Sequence, residues 1–270
     1  MPTIETNGVT LYYKVIGDGP PLVFTHGAGW DHTQWQPQIA YFANRFRVIM
    51  WDVRGHGRST LPDGPVDSAD FRRDLVGLLD ALDIRQAILV GLSMGGHISL
   101  QTAIAYPERV AALVLMGTPC TNRFNWRERV LVPINRWSAR LIPMSLMARW
   151  TGQSMAKHSV AAGQSIEQAM QQIPYGHWQR IWHAVTSMES RAGLAQISCP
   201  TLILEGADDW LVQHQQAYLA SHIPNATHHV VPRAFHAMNW DNPEDVHRYM
   251  DEFVTDLTEA GNVYAHNHDK

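Results

Sequence analysis

The sequence predicts an α/β fold in which a mostly parallel sheet is covered by helices on both faces. Short, continuous apolar runs alternate along the chain with stretches of helical periodicity, as in proteins built from repeated strand–helix–strand units. The composition agrees, because 45% of the 270 residues are hydrophobic and only 17% are charged, which is typical of a globular chain. The alternation stops between residues 121 and 195, which predicts an insertion at that point.

The predicted strands are identified by their apolar patterns. Residues 9–16 alternate between apolar and polar positions, which indicates a half-buried strand. The later runs are short and apolar, and most end near Gly, Asp or Ser, as buried strands do. These runs cover residues 21–25, 46–51, 87–90, 110–116, 201–204 and 228–232.

Helical patterns fill the intervals and the insertion. The core helices are predicted at residues 33–44, 68–82, 97–105 and 242–257. Residues 121–195 contain only helix-like pieces, separated by Pro133, Pro143, Gly152, Gly163 and Pro174. We therefore expect an α/β core formed by residues 1–120 and 196–260, an α-helical cap at 121–195, and a disordered polar tail at 261–270.

Ser93 is the candidate nucleophile. It lies in the segment 91–96 (GLSMGG), directly after an apolar run and directly before a helical pattern. A serine with glycine two residues away on either side, between a strand and a helix, is typical of a nucleophile elbow. Only glycine, which lacks Cβ, is expected to fit at Gly91 and Gly95 in so sharp a turn.

A serine hydroxyl needs a base, and the base needs a partner that fixes its tautomer. The loop after strand 201–204 carries Asp209, the expected acid, with Asp208 as the rival. The loop after strand 228–232 carries His236, the expected base. Because parallel strands end at one edge of a sheet, all three side chains are expected to meet there.

An oxyanion hole is expected beside the serine. The N–H of Met94, which follows the nucleophile, supplies one donor, and the helix that begins there adds its positive end. The loop at 26–30 should supply the second donor, with Ala28 as the best candidate and Gly29 as the next. His26 is interpreted as a structural hydrogen-bonding residue. The predicted pocket walls are Gly29, Trp30, Trp210, Trp126 and Trp137.

These motifs together resemble those of the α/β-hydrolase fold superfamily over essentially the whole chain. The matching segments are residues 26–29 (HGAG), 51–59 (WDVRGHGRS), 91–96, 107–110 (PERV) and His236 followed by 242–244 (NPE). The chain order serine, aspartate, histidine is also that of α/β-hydrolases. Within the superfamily the chain resembles small carboxylesterases, 3-oxoadipate enol-lactonase-like enzymes, perhydrolases and carbon–carbon bond hydrolases. Dehalogenases and epoxide hydrolases of this fold differ, because they carry aspartate where this chain has Ser93.

The expected activity is hydrolysis of a carboxylic ester or lactone through an acyl-enzyme. Three alternatives remain: hydrolysis of a carbon–carbon bond in a vinylogous diketone, cofactor-free perhydrolysis or oxygenation, and a ligand receptor with a vestigial triad. No cofactor is expected, because no Gly-x-Gly-x-x-Gly segment follows the first strand. No metal is expected either, because His177, His183, His228 and His229 lack ligand spacing.

Arginines are concentrated in residues 123–149, which contain six of them and one acid, Glu128. One interpretation is a solvated face of amphipathic helices whose opposite, apolar stripe is supplied by Val130, Leu131, Ile134, Trp137, Leu141 and Ile142. The alternatives are an acidic substrate, such as a lactone that carries a carboxylate, and contact with an anionic lipid surface.

The net charge, the cysteines and the start of the chain indicate which partners and which location to expect. The net charge of −4 gives no reason to expect nucleic-acid binding. The two cysteines, Cys120 and Cys199, are predicted to be buried single side chains. The start of the chain lacks a signal-peptide pattern, and no apolar run is long enough for stable membrane insertion, so a cytoplasmic protein is expected. The sequence is compatible with a homo-oligomer.

Overall fold

The computed structural model describes residues 2–259, and its centre is an eight-stranded sheet. The strand order is β1-β2-β4-β3-β5-β6-β7-β8. Strand β2 is antiparallel to both of its neighbours, and the other pairs are parallel. The strands are β1 Thr3–Thr6, β2 Val9–Ile16, β3 Pro21–Thr25, β4 Arg47–Trp51, β5 Ala87–Leu92, β6 Val110–Met116, β7 Thr201–Gly206 and β8 Ala226–Val231. The predicted α/β architecture with a mostly parallel sheet is confirmed.

Helices lie on both faces of this sheet. In the described residues they are α1 Gln36–Phe42, α2 Asp70–Ala81, α3 Met94–Ala105, α4 Trp126–Ser138, α5 Met144–Met155, α6 Val160–Gln171, α7 Tyr175–Val185, α8 Gln213–His222, α9 Met238–Asp241 and α10 Pro243–Glu259. Four of them, α4 to α7, lie between β6 and β7 and are called the helical insert below.

Two apolar cores explain why the central strands are apolar throughout. Successive side chains of a strand point to opposite faces. In β3, Val23 belongs to one core, while Leu22 and Phe24 belong to the other. The first core includes residues of α2, α3 and the helical insert, and the second includes residues of α1 and α10. Because both faces of the sheet are covered, most positions in these strands are apolar.

The parallel strands bring distant loops to one edge of the sheet. Strands β3, β5, β6, β7 and β8 run in the same direction, so their carboxyl ends lie together. The loops that begin after Thr25, Leu92, Gly206 and Val231 are therefore neighbours, although they are far apart in sequence.

Some elements differ from the sequence prediction. Strand β1 was not predicted, and α3 begins at Met94, three residues before the predicted start. The expected helix breaks at Pro133, Gly152 and Gly163 lie inside α4, α5 and α6. The two glycines instead allow α5 and α6 to pack closely, since a Cβ on Gly163 would lie 2.5 Å from the carbonyl oxygen of Gly152.

Two predictions concern the chain termini and membranes. Within residues 2–259, no helix is both long enough and apolar enough to cross a bilayer. The predicted disordered tail at 261–270 lies outside the described residues.

Candidate active site

Ser93 lies in a strained turn between β5 and α3. Its backbone has φ 53° and ψ −113°, which a non-glycine residue rarely adopts. Two glycines make this turn feasible. A Cβ on Gly91 would lie 2.3 Å from the carbonyl carbon of Gly95, and a Cβ on Gly95 would lie 2.0 Å from the carbonyl oxygen of Thr25. Such strain is typical of functional positions, because the surrounding packing must hold it.

His236 and Asp209 form a buried pair at the same edge of the sheet. Nδ1 of His236 lies 2.8 Å from Oδ2 of Asp209, and Oδ1 of Asp209 accepts a hydrogen bond of 3.2 Å from the Leu211 N–H. Because a carboxylate only accepts hydrogen bonds, Nδ1 of His236 carries the proton and Nε2 is left as the basic nitrogen. The rival, Asp208, is half-exposed and lies 3.9 Å from His158.

Gly117, which the sequence analysis did not identify, provides the space for this pair. It follows β6 directly and has φ +48°, where side chains are disfavoured. A Cβ at this position would lie 2.9 Å from Oδ2 of Asp209 and 3.2 Å from Nδ1 of His236. The signal in the sequence was a glycine at the end of a fully apolar strand.

Two carboxyl groups control the protonation of His236. Burial opposes its charged form, but the charge and hydrogen bond of Asp209, followed by the charge of Asp241, raise the pKa of His236 above its ordinary value. Burial in turn raises the pKa of Asp241 to about 6, although its carboxyl accepts a 2.9 Å hydrogen bond from the Phe235 N–H. The imidazole of His236 is therefore more basic than that of an ordinary histidine.

His26 is buried, and each of its two ring nitrogens has a backbone hydrogen-bond partner. Its Nδ1 lies 2.8 Å from the Gly27 carbonyl oxygen, and its Nε2 accepts a 2.9 Å hydrogen bond from the Val53 N–H. Burial, followed by the neighbouring His56, lowers the pKa of His26 to about 3. A neutral ring that donates at Nδ1 and accepts at Nε2 satisfies both contacts, and this fixes the loop that follows β3.

Hydrogen bonds of Gly27 hold the loop after His26 beside the cavity. The Gly27 N–H donates to Oε1 of Gln34 at 2.8 Å, and the Gly27 carbonyl accepts from the Trp30 N–H at 3.1 Å. Gly27, Ala28 and Ser93 all line one cavity. Met94 begins α3, and the first N–H groups of a helix have no acceptor within the helix.

The cavity beside Ser93 has a volume of about 400 Å³ and lies between the core and the helical insert. Ser93 and His236 both line it, and most of its walls are apolar. The insert contributes large side chains, including Met147, Trp150, Met155, Ile166, Met170 and Trp178. No Arg, Lys, Asp or Glu is among the described residues that line it. This size and lining are typical of a small-molecule site.

Most of the chain matches a known protein family. The model of the alpha/beta hydrolase fold matches residues 20–243. The chain belongs to the alpha/beta hydrolase fold family. Over 247 residues it is 30% identical to 3-oxoadipate enol-lactonase 2 of Acinetobacter baylyi, and the alignment covers 90% of this chain and 92% of that relative.

Solved structures of the alpha/beta hydrolase fold are also similar to this chain. A thermophilic esterase from Thermogutta terrifontis is 26% identical with a TM-score of 0.84, covering 94% of this chain and 97% of the esterase. The enol-lactonase from Burkholderia xenovorans is 27% identical with a TM-score of 0.82, covering 94% of this chain and 100% of the lactonase. The superfamily that the motifs indicated is thus confirmed.

Of the residues predicted to form the pocket of this alpha/beta hydrolase, one lines the cavity. Trp30 does so, and its Nε1 donates to Oγ of Ser165 in α6 at 3.3 Å. Gly29 lies behind the wall, where a Cβ would be 2.9 Å from Cγ of Met170. The remaining three, which are 71%, 62% and 72% exposed, lie outside the cavity: Trp126, Trp137 and Trp210. The first two are on the outer side of α4, so other tryptophans of the insert form the wall.

One group of residues in the described chain has the spacing of metal ligands: Asp31, His32 and Asp52. The oxygens of Asp52 already accept hydrogen bonds of 2.7 Å from the His32 N–H and 2.8 Å from the Arg58 N–H, and Nδ1 of His32 lies 2.7 Å from the same carboxylate. Oδ1 of Asp31 accepts from Thr33. These carboxyl groups therefore brace the loops of the alpha/beta hydrolase fold.

Proposed function

We propose that the protein hydrolyses carboxylic esters or lactones through a covalent acyl-enzyme on Ser93. The observation that carries this proposal is the buried hydrogen bond between His236 and Asp209 at the edge of the sheet where the Ser93 turn meets the cavity. Nucleophile, base and orienting acid are the parts that serine-based acyl transfer requires. The enol-lactonase and esterase relatives support the same class of reaction.

In the proposed reaction, Oγ of Ser93 attacks the substrate carbonyl carbon while its proton moves to Nε2 of His236. Asp209 accepts the hydrogen bond from Nδ1 and stabilises the imidazolium that forms. The oxyanion of the tetrahedral intermediate accepts hydrogen bonds from the N–H groups of Ala28 and Met94. Its collapse breaks the carbon–oxygen bond, and His236 returns the proton to the leaving alkoxide.

The second half of the proposed cycle releases the acid. Water replaces the alcohol, His236 takes a proton from it, and the resulting hydroxide attacks the acyl carbon. Collapse then breaks the bond between the acyl carbon and Oγ of Ser93, His236 returns its proton to Oγ, and the carboxylic acid leaves. In a lactone the alcohol and the acyl group are parts of one molecule, so a single hydroxy acid leaves.

We further propose that the part of the substrate inside the cavity is uncharged. The lining has no cationic side chain that could pair with a carboxylate, and burial of an unpaired carboxylate is costly. Trp178, in one wall of the cavity, carries a further polar group. Its Nε1 is buried and has no hydrogen-bond partner among the described residues. A substrate oxygen beyond the scissile carbonyl would satisfy this donor after the indole rotates toward the cavity, because the nitrogen has almost no accessible surface in its present position.

A panel of substrates tests the proposal. Neutral aryl esters, neutral lactones, carboxylate-bearing lactones and a vinylogous diketone are compared with the wild-type protein and Ser93→Ala. We expect hydrolysis of the neutral esters or lactones, and a loss on the order of 10⁴ or more in Ser93→Ala with an unchanged melting temperature. Turnover by Ser93→Ala at the wild-type rate would contradict the mechanism. Preference for the diketone would contradict the substrate class.

A further inference from the structure

Helix α4 turns apolar side chains toward solvent. Among its 13 residues none is buried, although it contains two tryptophans and several aliphatic residues. Four of its apolar side chains are 71%, 52%, 53% and 62% exposed: Trp126, Val130, Ile134 and Trp137. We call these four residues the outer stripe. One interpretation of the sequence placed an apolar stripe opposite the solvated face, and the structure contradicts it for all but one of its members. Ile142 lines the cavity, whereas the others are exposed: Val130, Leu131, Ile134, Trp137 and Leu141.

Helical geometry places the outer stripe on one side of α4. At about 100° per residue, its four members fall within an arc of about 80°. The opposite side of the helix carries the half-buried residues Glu128, Val132 and Arg136. Leu141, in the turn after α4, is 65% exposed and extends the apolar surface. Clustered, exposed apolar side chains of this kind mark interaction sites in soluble folds.

Cations flank the outer stripe. By the same geometry Arg127 lies on one side of it and Arg129 on the other, and both are exposed. The only acid within residues 123–149 is Glu128, which is occupied: its carboxylate accepts from the Phe124 N–H at 2.6 Å and lies 2.6 Å from Nε2 of His214. The region is cationic although the whole chain has a net charge of −4.

We propose that the outer stripe of α4 docks on an anionic lipid surface. An exposed apolar stripe between arginines is the pattern of a helix that lies in a membrane interface, with apolar side chains in the acyl region and cations at the headgroups. The charge distribution favours this occupant over a second copy of the chain, because two outer stripes brought together would place arginines beside arginines.

The position of α4 relates this docking to the cavity. Asn135, Ser138 and Ala139, on the other side of α4 and at its end, line the cavity. Trp150 and Leu211 also line it and are 53% and 39% exposed, so the cavity reaches the surface of the molecule at these side chains. Docking through the outer stripe would therefore hold one wall of the cavity against the lipid layer.

Vesicle co-sedimentation tests the docking. The probes are vesicles of phosphatidylglycerol mixed with phosphatidylcholine, and vesicles of phosphatidylcholine alone. We expect binding to the anionic vesicles, weakened by about tenfold or more in the double variant Trp126→Gln/Trp137→Gln. Arg127→Gln/Arg129→Gln should weaken it by about tenfold or more, as should removal of the anionic lipid, and added salt should weaken it as well.

Two controls make the test decisive. Ile16→Gln replaces an exposed apolar residue at the opposite edge of the sheet, where β2 pairs with Val48, and should bind like the wild type. Ser93→Ala should also bind like the wild type, so the docking can fail or succeed independently of the proposed catalysis. Melting temperatures confirm that each variant is folded.

Two results would overturn the proposal. One is the absence of binding to anionic vesicles, or equal binding by the wild type and the Trp126→Gln/Trp137→Gln variant. The other is a concentration-dependent dimer in sedimentation analysis that the same variant abolishes, because a second copy would then cover the outer stripe.

Discussion

Helices α3 and α4 have similar lengths and opposite surroundings. In α3, ten of the 12 residues are buried, whereas none of the 13 residues of α4 is. Helix α3 begins at the Ser93 turn and packs backbone against backbone, since a Cβ on Gly95 would collide with the Thr25 carbonyl. Helix α4 makes polar contacts with α7, such as the hydrogen bond of 2.6 Å that Nε1 of Trp182 donates to Oδ1 of Asn135. The contrast separates a helix that is fixed by the core from a helix whose apolar side chains face solvent.

The largest effect is expected at the buried pair of Asp209 and His236, at the edge of the sheet where α3 begins. Asp209→Asn should lower kcat by about 10⁴, because an amide stabilises the wrong tautomer of His236 and cannot offset the imidazolium charge. Steady-state kinetics on an aryl ester measure the loss. The adjacent, half-exposed Asp208 provides the matched control, and Asp208→Asn should keep nearly full activity. Equal losses in both variants would show that the buried pair has no special role.

The free energy of unfolding should respond differently to substitutions in α3 and in α4. Leu100 in α3 is fully buried, and Leu100→Ala should lower the free energy of unfolding by about 2–5 kcal/mol through lost burial and a cavity. Ile134 in α4 is 53% exposed, so Ile134→Ala should change it by less than about 0.5 kcal/mol. Urea denaturation measures both values. A large loss in Ile134→Ala would mean that the outer stripe is covered in the folded protein.

The insert should also affect substrate binding. Trp178→Phe keeps the aromatic wall and removes the buried N–H, so KM should rise about 3–10-fold for esters that carry a second oxygen acceptor. Esters of the same size without that acceptor should be affected much less. If both kinds of ester respond equally, the indole N–H does not bind substrate.

The pH dependence gives the smallest expected effect. In the proposed mechanism only neutral His236 accepts the serine proton. Because its pKa is raised, kcat/KM should rise with pH along a limb whose midpoint lies above the ordinary histidine value of about 6.5. Asp241→Asn removes one of the charges that raise this pKa and should lower the midpoint. Asp251→Asn, on α10, should leave the midpoint unchanged. A midpoint below 6.5 in the wild type would contradict the charge assignment.

The central sheet was predictable because strands buried on both faces appear in the sequence as short, continuous apolar runs. Strands β3 and β6 begin and end at the predicted residues, since burial on both faces makes nearly every position in them apolar. Strand β1 has no such apolar run, because it is an edge strand and its residues Thr3–Thr6 are alternately exposed and half-buried. The close placement of His236 and Asp209 also followed from position alone, as both come directly after parallel strands.

The helical insert was less predictable for a physical reason. Helical periodicity shows which residues share a face but not which way that face points, so one interpretation placed the apolar stripe of α4 opposite the solvated face. Trp126 and Trp137 were assigned to the pocket for the same reason, whereas Trp150 and Trp178 form its walls. Gly152 and Gly163 were interpreted as helix ends, because a single sequence does not distinguish a break from a close contact between helices.

Whether Ser93 is the nucleophile is tested most directly by the mass of the protein after treatment with an organophosphate ester such as diethyl p-nitrophenyl phosphate. The proposed mechanism predicts one added diethylphosphoryl group, mapped by peptide analysis to Ser93, with loss of esterase activity and no adduct in Ser93→Ala. An unmodified Ser93 in a protein that loses its activity, or an adduct on another residue, would contradict the assignment of Ser93 as the nucleophile.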